Sequence, residues 1–389
     1  MVRKEKGFIL LLALIIVTIS AVIMGGFFLY LNASLSASGR SEERSVTYYA
    51  ADTGFEDAIF WLEQGKELAE WVWNEEEQQW EREPYEIYDR TVDVSVVEDL
   101  GNLTNKITST ATAINSSTST TIEAYVLCRL FDLSPFGENA ITSQGNIEIL
   151  GQKGGVQGNV TYVGTLECPG DPNCEETING TVTQVESIDY WPEGWEAYDY
   201  FYNDVDHLDP FPYDTIDVSV TPVIEPLYRD GNLLIESSTI GTSTTLNGTI
   251  YVTGDLVIGG SKDFTLNLNG HTIFAEGTRE IDPGTGEEYD TITFHSKCTI
   301  AGSGAIIALG NINFGPKIQT GEEDFVFLMS VEGMTTLNPM NDFHGSIAGD
   351  AKVDLFPGVD LIWIDPADAG YEFPEGEFMT RILTYDIIK

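Results

Sequence analysis

An uncharged, apolar run near the amino terminus constrains this chain more than any other feature. Residues 8–31 contain no charged side chain, and Arg3, Lys4 and Lys6 precede them. A helix of about 20 apolar residues spans a bilayer core about 30 Å thick, and cationic flanks stay on the cytoplasmic side. A secretory signal has an apolar core of only about 7 to 15 residues. The sequence therefore predicts a single-pass membrane protein, with a transmembrane helix over 8–31, a short cytoplasmic amino terminus and an extracytoplasmic remainder.

The charge of the chain is large, negative and unevenly distributed. Its 389 residues include 19 Lys and Arg against 62 Asp and Glu, which gives a formal net charge of −43. Residues 1–44 carry +2, so the remainder carries −45. So few cations exclude the basic stripes of a nucleic-acid-binding protein, and a hydrophobic content of 42% excludes general disorder. We expect a folded, acidic ectodomain with no nucleic-acid partner.

The boundary between the basic leader and the apolar run is the most specific part of this segment. Gly7 ends the leader, and the hydrophobic helix begins at once with Phe8. This arrangement resembles the class III signal, the leader of type IV prepilins. The resemblance implies that a prepilin peptidase cuts between Gly7 and Phe8 and that the new amino terminus is methylated. Leu12 occupies the fifth mature position, where major pilins usually carry glutamate, and this departure is a feature of some minor pilins and pseudopilins.

The helix is predicted to continue beyond the membrane over residues 32–65. Apolar residues recur there at three- and four-residue spacings, which makes one stripe along a helix. The stretch 49–58, with Ala51-Asp52, Gly54 and Asp57-Ala58, is similar to the alanine-acid-x-glycine-x-x-acid-alanine segment of PilX-like pilus assembly proteins. The resemblance implies a pilin-like helix that packs among other pilin subunits. A plain signal-anchor helix is the alternative.

The region after the helix is predicted to form a small antiparallel sheet. Residues 91–96, 106–114 and 120–130 alternate with a period of two or are rich in β-branched residues, as expected of a meander packed on the helix. The Ser/Thr density over 104–121 would also suit an O-glycosylated stalk, but proline is absent there. The acidic, tryptophan-containing stretch 63–89 is interpreted as partly buried aromatic anchors on a solvated face rather than as a ligand platform.

The carboxy-terminal two thirds of the chain predict a β-solenoid. Short strand-like units are punctuated by Gly or Asn-Gly, as in 249–252, 255–258, 265–268 and 272–275. Such units wind into stacked rungs, so we expect a right-handed parallel β-helix, with a β-sandwich as the alternative. The predicted fold is mainly β with a long N-terminal α-helix. Its segments are the leader 1–7, the transmembrane helix 8–31, the helix extension 32–65, the antiparallel domain 66–135 and the solenoid-like domain 136–389, with an acidic aromatic insertion at 167–230.

The four cysteines predict one disulfide and no metal centre. Cys168 and Cys174 flank a tight turn, and an extracytoplasmic location permits their oxidation. Cys128 and Cys298 stand alone in strand-like runs and are expected to be buried free thiols. Residues 203–209 crowd oxygen donors that suit Ca²⁺, but the EF-hand spacing is absent, so a solvated acidic loop is the preferred interpretation.

No recognised catalytic motif occurs in the sequence. Neither Gly-x-Ser-x-Gly nor His-Glu-x-x-His is present. Carboxylate pairs such as Glu322 with Glu323, or Asp365 with Asp368, are expected by chance among so many acids. We therefore expect no enzymatic activity and no cofactor. The histidines are scattered, and each is interpreted as a turn or packing residue: His207, His271, His295 and His344.

The resemblance to type IV prepilins implies a minor type IV pilin-like protein, held in the membrane as a prepilin and then assembled into or at the tip of a pilus or pseudopilus. The resemblance implies prepilin peptidase and other pilin subunits as partners, the subunits through the N-terminal helix. The β-helical head would serve assembly, presentation at the cell surface or adhesion. The alternative is a signal-anchored cell-surface β-helix protein, an adhesin or a carbohydrate-active enzyme, that never enters a filament.

Overall fold

The computed structural model describes most of the chain. It covers residues 5–66, 68–99, 103–150, 155–169, 174–188, 190–278, 290–295, 297–315, 318–338, 342–358, 360–374 and 376–388. Within these ranges the side chains of residues 5–11, 99, 174 and 175 are not described. The chain divides into two compact units, the first formed by Met1–Arg129 with Thr380–Lys389 and the second by Leu130–Met379.

Three α-helices and many short strands make up these residues. The helices are α1 (Glu5–Glu63), α2 (Ser134–Gly137) and α3 (Gly194–Asn203), with one 3₁₀ turn at Cys174–Thr177. The strands of the antiparallel region are β1 (Trp71–Asn74), β2 (Gln79–Ile87), β3 (Arg90–Asp99), β4 (Thr104–Ala113) and β5 (Ser119–Phe131). The strands that follow are β6 (Ile141–Ser143), β7 (Asn146–Ile149), β8 (Val156–Gln157), β9 (Val160–Tyr162), β10 (Leu166–Glu167), β11 (Ile178–Asn179), β12 (Val182–Gln184), β13 (Thr215–Asp217), β14 (Val223–Ile224), β15 (Leu227–Arg229), β16 (Leu233–Glu236), β17 (Thr242–Leu246), β18 (Ile250–Val252), β19 (Leu256–Ile258), β20 (Phe264–Asn267), β21 (Thr272–Ala275), β22 (Asp290–Phe294), β23 (Cys298–Ala301), β24 (Gly304–Ala308), β25 (Asn311–Phe314), β26 (Gln319–Thr320), β27 (Val326–Ser330), β28 (Met334–Leu337), β29 (Phe343–Gly349), β30 (Lys352–Leu355), β31 (Leu361–Ile362) and β32 (Glu377–Ile388).

The first unit is one long helix lying on an antiparallel sheet. Helix α1 has 59 residues, which corresponds to about 90 Å. The sheet has the order β1-β2-β3-β4-β5-β32, and β3, β4 and β5 pair antiparallel as the sequence predicts. Ten consecutive residue pairs join β3 to β4, from Arg90 opposite Ala113 to Asp99 opposite Thr104. The Ser/Thr-rich stretch is therefore strand, since β4 buries alternate residues through its whole length.

The second unit is a parallel β-solenoid. Its strands form a nine-stranded, a twelve-stranded and a five-stranded sheet. Equivalent residues of neighbouring rungs stack in register, for example Leu233 on Leu256 and Ile250 on Ile273. Inward Ile, Leu, Val and Phe side chains fill one continuous core. The parallel pairing confirms the predicted solenoid and excludes the β-sandwich.

The rungs do not stack in the order of the chain. Strand β30 pairs with β28 on one side and with β7 on the other, so that Val353 lies opposite both Thr335 and Ile147. Strand β29 likewise pairs with β6, which places Ile347 opposite Ile141. The first rungs in sequence thus lie beyond the last ones in space. The solenoid begins spatially near residue 215, runs to about residue 362 and is completed by residues 141–184.

Asparagine side chains connect neighbouring rungs at the corners. The Oδ1 atoms of Asn146, Asn232 and Asn311 accept hydrogen bonds from the backbone N–H groups of the next rung at 2.8, 2.9 and 2.9 Å. A backbone donor that turns a corner has no partner in a sheet, so a side-chain oxygen satisfies it. These bonds explain why Asn recurs at the joins between strands.

Candidate functional site

Helix α1 contains two halves with opposite environments. Large apolar side chains from Leu12 to Leu35 are exposed, among them Phe28 at 67% and Leu29 at 74%. Ala51, Phe55 and Leu62, in the second half, are at most 1% exposed. The residues that the structure describes include one helix that is long and apolar enough to cross a membrane, and it lies near the N-terminus. The exposed apolar half is a candidate interaction surface.

The sheet first contacts the helix near residue 43. Glu43 accepts a hydrogen bond from the Ser116 hydroxyl, and Arg90 Nε donates to Thr47 Oγ1 at 2.9 Å. Residues 36–42 make only local helical contacts in the structure, such as Arg40 Nε to the Ser36 carbonyl at 3.2 Å. A polar segment of α1 therefore separates the apolar half from the half packed on the sheet.

The alanine, glycine and acid positions of residues 51–58 have a structural reason. A Cβ on Gly54 would lie 2.4 Å from Ser109 Oγ and 2.7 Å from Val92 Cγ1, so only glycine fits beneath the sheet. Ala51 and Ala58 are completely buried beside it. Small residues at these positions allow the helix to approach the strands closely.

The two acids of the same segment anchor the helix at its sides. Asp52 accepts a hydrogen bond from the Tyr385 hydroxyl at 2.9 Å, and Asp57 pairs with the Arg82 guanidinium. Burial raises the pKa of Asp57 above its ordinary value, although Arg82 opposes that shift. The motif is thus explained by helix-on-sheet packing, and the assignment to the PilX-like group stays a prediction.

The predicted cleavage position lies at the very start of α1. Gly7 and Phe8 belong to the helix by their backbone, but their side chains and residues 1–4 of the leader lie outside the described part of the chain. Processing between Gly7 and Phe8 therefore stays a prediction.

The cysteines occupy three different environments. Cys168 is disulfide-bonded, whereas the side chain of Cys174 lies outside the described residues, so the pairing of these two stays a prediction. Cys128 and Cys298 are buried free thiols, which confirms the prediction for both. Burial raises the pKa of the Cys128 thiol to about 11 and that of Cys298 still further. Since the thiolate is the reactive form, both thiols are protected in the folded protein.

Thiol titration tests this assignment. In the native, non-reduced chain we expect almost no labelling by a thiol reagent at neutral pH, because burial keeps Cys128 and Cys298 protonated and inaccessible. Denaturation without reductant should expose two thiols, and denaturation with reductant should expose all four. Four reactive thiols before reduction would show that Cys168 is not oxidised.

The scattered histidines and acids are not brought together. His207 lies beside Asp206 on the surface, with 3.7 Å between Nδ1 and Oδ1, whereas His344 is buried and its Nδ1 lies 3.3 Å from Thr320 Oγ1. His271 and His295 adjoin strand ends, and the pairs 322–323 and 365–368 lie in turns or loops. Across the described ranges no group of three or more His, Cys, Asp or Glu residues is placed to hold a metal. In the acidic loop 203–209, Asp204 accepts a hydrogen bond from Thr249 Oγ1 at 2.9 Å.

A second candidate surface is the outer face of the five-stranded sheet, which has the order β14-β17-β20-β23-β26. Its alternate residues, such as Leu266 and Ile300, point into the core. The outward residues form two columns in register, and they are uncharged in a chain of net charge −43. One column is Ser243, Thr265, Thr299 and Gln319, and the other is Val223, Thr245, Asn267 and Ala301. We call these eight residues the threonine face.

Comparison with known proteins gives only distant likenesses. No family model matches the chain, and no curated protein matches it. An ice-binding protein (LeIBP) from Arctic yeast is 10% identical, with a TM-score of 0.24, over 60% of this chain and 94% of that one. The competence-associated pilin ComZ from Thermus thermophilus is 10% identical, with a TM-score of 0.26, over 88% and 97%. An ice-binding protein from an Antarctic Flavobacteriaceae bacterium is 14% identical, with a TM-score of 0.22, over 59% and 47%. TM-scores this low do not assign the chain to a family.

Proposed function

We propose that this protein is a minor type IV pilin-like subunit that displays a β-solenoid. The observation that carries the proposal is the division of α1 into an exposed apolar half and a half buried on an antiparallel sheet. The apolar half would first lie in the membrane as a prepilin anchor, with the rest of the chain outside the cytoplasm. The leader that ends at Gly7 supports processing by a prepilin peptidase.

The mechanism of assembly would be a transfer of one surface between two apolar environments. In the bilayer, lipid covers the exposed side chains from Leu12 to Leu35; in a filament, the helices of other pilin subunits would cover the same side chains. Exposing an apolar surface of this length to water is unfavourable, so lipid or other protein must cover it in each state. We propose no catalytic role and no cofactor for the chain.

The size of the solenoid favours a low copy number. The second unit, Leu130–Met379, accompanies each single helix, whereas packed helices lie only about 8–10 Å apart. A head of this size on every subunit would crowd a helical lattice. The proposal therefore places the protein at the tip of a filament, where the solenoid is displayed for surface presentation or adhesion.

Photo-crosslinking tests the assembly step. A photoreactive residue in place of Phe28 should crosslink to other pilin subunits in cells that contain prepilin peptidase and the assembly ATPase, since Phe28 is exposed on the apolar half. The same residue in place of Tyr213, which is 66% exposed on the solenoid, is the matched control. Crosslinks that form equally without the ATPase, or none at either position, would support the signal-anchored surface protein instead.

The threonine face supports a second candidate function, binding to ice. Within each column, neighbouring residues lie about 4.7–4.9 Å apart, from one strand to the next. The two columns lie about 6.6 Å apart along the strands. An uncharged array of hydroxyl, methyl and amide groups at regular spacing suits a regular solid lattice of water better than a flexible or charged ligand. The uncharged face is notable because the rest of the chain is strongly acidic.

Ice recrystallisation separates this candidate from general surface display. The full chain in lipid nanodiscs should slow recrystallisation relative to empty nanodiscs. T265K together with T299K should abolish the effect, because both residues lie in one column of the threonine face. T336K is the matched control, since Thr336 is outward-facing on the nine-stranded sheet. Activity absent from the wild type, or unchanged by the double substitution, would contradict ice binding.

A further inference from the structure

Strand β32 is an edge strand of the first unit's sheet. It ends the strand order of that sheet, after β5. Four large aliphatic side chains on it are exposed: Ile382 at 47%, Leu383 at 50%, Ile387 at 44% and Ile388 at 50%. Because successive strand residues point to opposite faces, each face of this strand carries two of these aliphatic side chains. A long edge strand offers a row of backbone donors and acceptors to another strand.

The opposite edge of the same sheet is protected. Strand β1 has only four residues and leads directly into Glu75, Glu76 and Glu77. Short, charged edges are the usual defence against pairing with another chain. The two edges of one sheet thus differ in length, since β1 has four residues and β32 has twelve, and β32 offers the longer row of backbone groups to a second strand.

The sequence of β32 is complementary to itself. In residues 382–388, Ile-Leu-Thr-Tyr-Asp-Ile-Ile, the aliphatic residues are placed symmetrically about Tyr385. Antiparallel pairing of two copies centred on Tyr385 would place Ile382 opposite Ile388 and Leu383 opposite Ile387. Thr384 would lie opposite Asp386. Cross-strand aliphatic pairs of this kind stabilise a sheet.

We propose that β32 pairs antiparallel with β32 of a second copy of this chain. The pairing joins the two sheets into one and brings the four exposed aliphatic side chains into cross-strand contact. A two-fold contact of this type is closed, because each copy uses the same edge strand once. The proposal rests on β32 alone and does not depend on assembly into a filament.

The direction of α1 sets where such a pair can form. Tyr385 bonds to Asp52, and Thr380 Oγ1 donates to Glu63 Oε1 at 2.6 Å, so β32 runs antiparallel to α1. A two-fold axis perpendicular to the sheet reverses both elements. The two α1 helices then point in opposite directions and do not enter one bilayer side by side with the same topology. The contact therefore joins copies that project from two facing surfaces.

Cysteine pairs test the register. Directly opposite Cβ atoms in an antiparallel pair lie about 4.5–5.5 Å apart, and diagonal ones about 7–8 Å, so only the opposite pair is within reach of a disulfide. The full-length T384C/D386C chain in detergent should become mainly covalent dimer on mild oxidation. T384C and D386C alone should remain mostly monomeric, because each would need a diagonal bond.

Three further outcomes decide the proposal. L383K should remove the dimer, whereas V220K, at an aliphatic residue that is 78% exposed on the solenoid, should leave it. Dimer formation should increase with salt, because each copy carries −43 and salt screens the repulsion between the two copies. Copies in separate nanodiscs should crosslink, and copies in one nanodisc should not. Equal dimer in the double and single cysteine chains, or crosslinking only within one nanodisc, would overturn the pairing.

Discussion

A chain that begins at residue 32 is expected to fold as the full chain does and to leave the membrane fraction completely. The described side chains that it loses are exposed, and the sheet first contacts α1 near residue 43. Removing exposed residues changes the free energy of unfolding by about 0.5 kcal/mol or less. Membrane sedimentation and thermal unfolding followed by circular dichroism measure the two parts of this result.

Two glycines provide a matched control for the division of the helix. A Cβ on Gly25 would meet no atom within 4 Å, whereas one on Gly54 would lie 2.4 Å from Ser109 Oγ. G25A should therefore not destabilise the chain, since alanine also favours the helix, and G54A should cost about 1–3 kcal/mol. A truncated chain that unfolds at a lower temperature than the full chain, or a G54A chain as stable as the wild type, would contradict the division.

Substituting Phe314 by alanine is expected to destabilise the solenoid more than any exposed substitution. The Phe314 ring lies 4.8 Å from that of Phe294 and 5.3 Å from that of Phe343, and each ring is at most 1% exposed. Loss of a buried phenylalanine costs about 3–5 kcal/mol, which lowers the Tm of a unit of this size by about 10 °C. Calorimetry of the full chain in detergent measures this shift.

The control for Phe314 is an aromatic residue of the same unit that lies at the surface. Tyr213 is 66% exposed, so Y213A should change the Tm by no more than about 1–2 °C. If F314A and Y213A have the same Tm, the interior aromatic row does not stabilise the solenoid.

Local patterns in the sequence predict much of this fold. The alternation in residues 91–96 and 120–130 predicts β3 and β5, because one face of each strand must be buried. The apolar run 8–31 predicts the first half of α1, and the stripe around Phe55 predicts the second half. These elements depend on periodicity alone, which a single sequence contains.

The order of the rungs could not be predicted from the same patterns. Strand β30 has nearly the same pattern of burial as β7 and β28, so nothing local indicates that it lies between them. Partner choice is set by the whole solenoid rather than by a turn. The sequence does not predict β32 for a similar reason, because its partner β5 precedes it by about 250 residues and its exposed aliphatic residues do not alternate.

The threonine face is only partly predictable from the sequence. The run Thr242-Ser243-Thr244-Thr245 suggests hydroxyl groups on one strand, but only the stacking of β17, β20 and β23 places them in columns.

The sequence does not predict the hairpin of β1 and β2, because its tryptophans do not alternate strictly with polar residues. In the structure Trp61 and Trp71 stack at 4.4 Å between ring centroids, which ties this hairpin to α1.

Determining the first residue of the mature protein tests the proposed pilin-like function most directly. The full chain would be expressed with and without a prepilin peptidase, and its first residue determined by mass spectrometry. We expect a mature chain that begins at Phe8, with or without N-methylation, only when the peptidase is active. If Met1 to Gly7 remain attached in the presence of an active peptidase, the protein is a signal-anchored β-solenoid and not a pilin-like subunit.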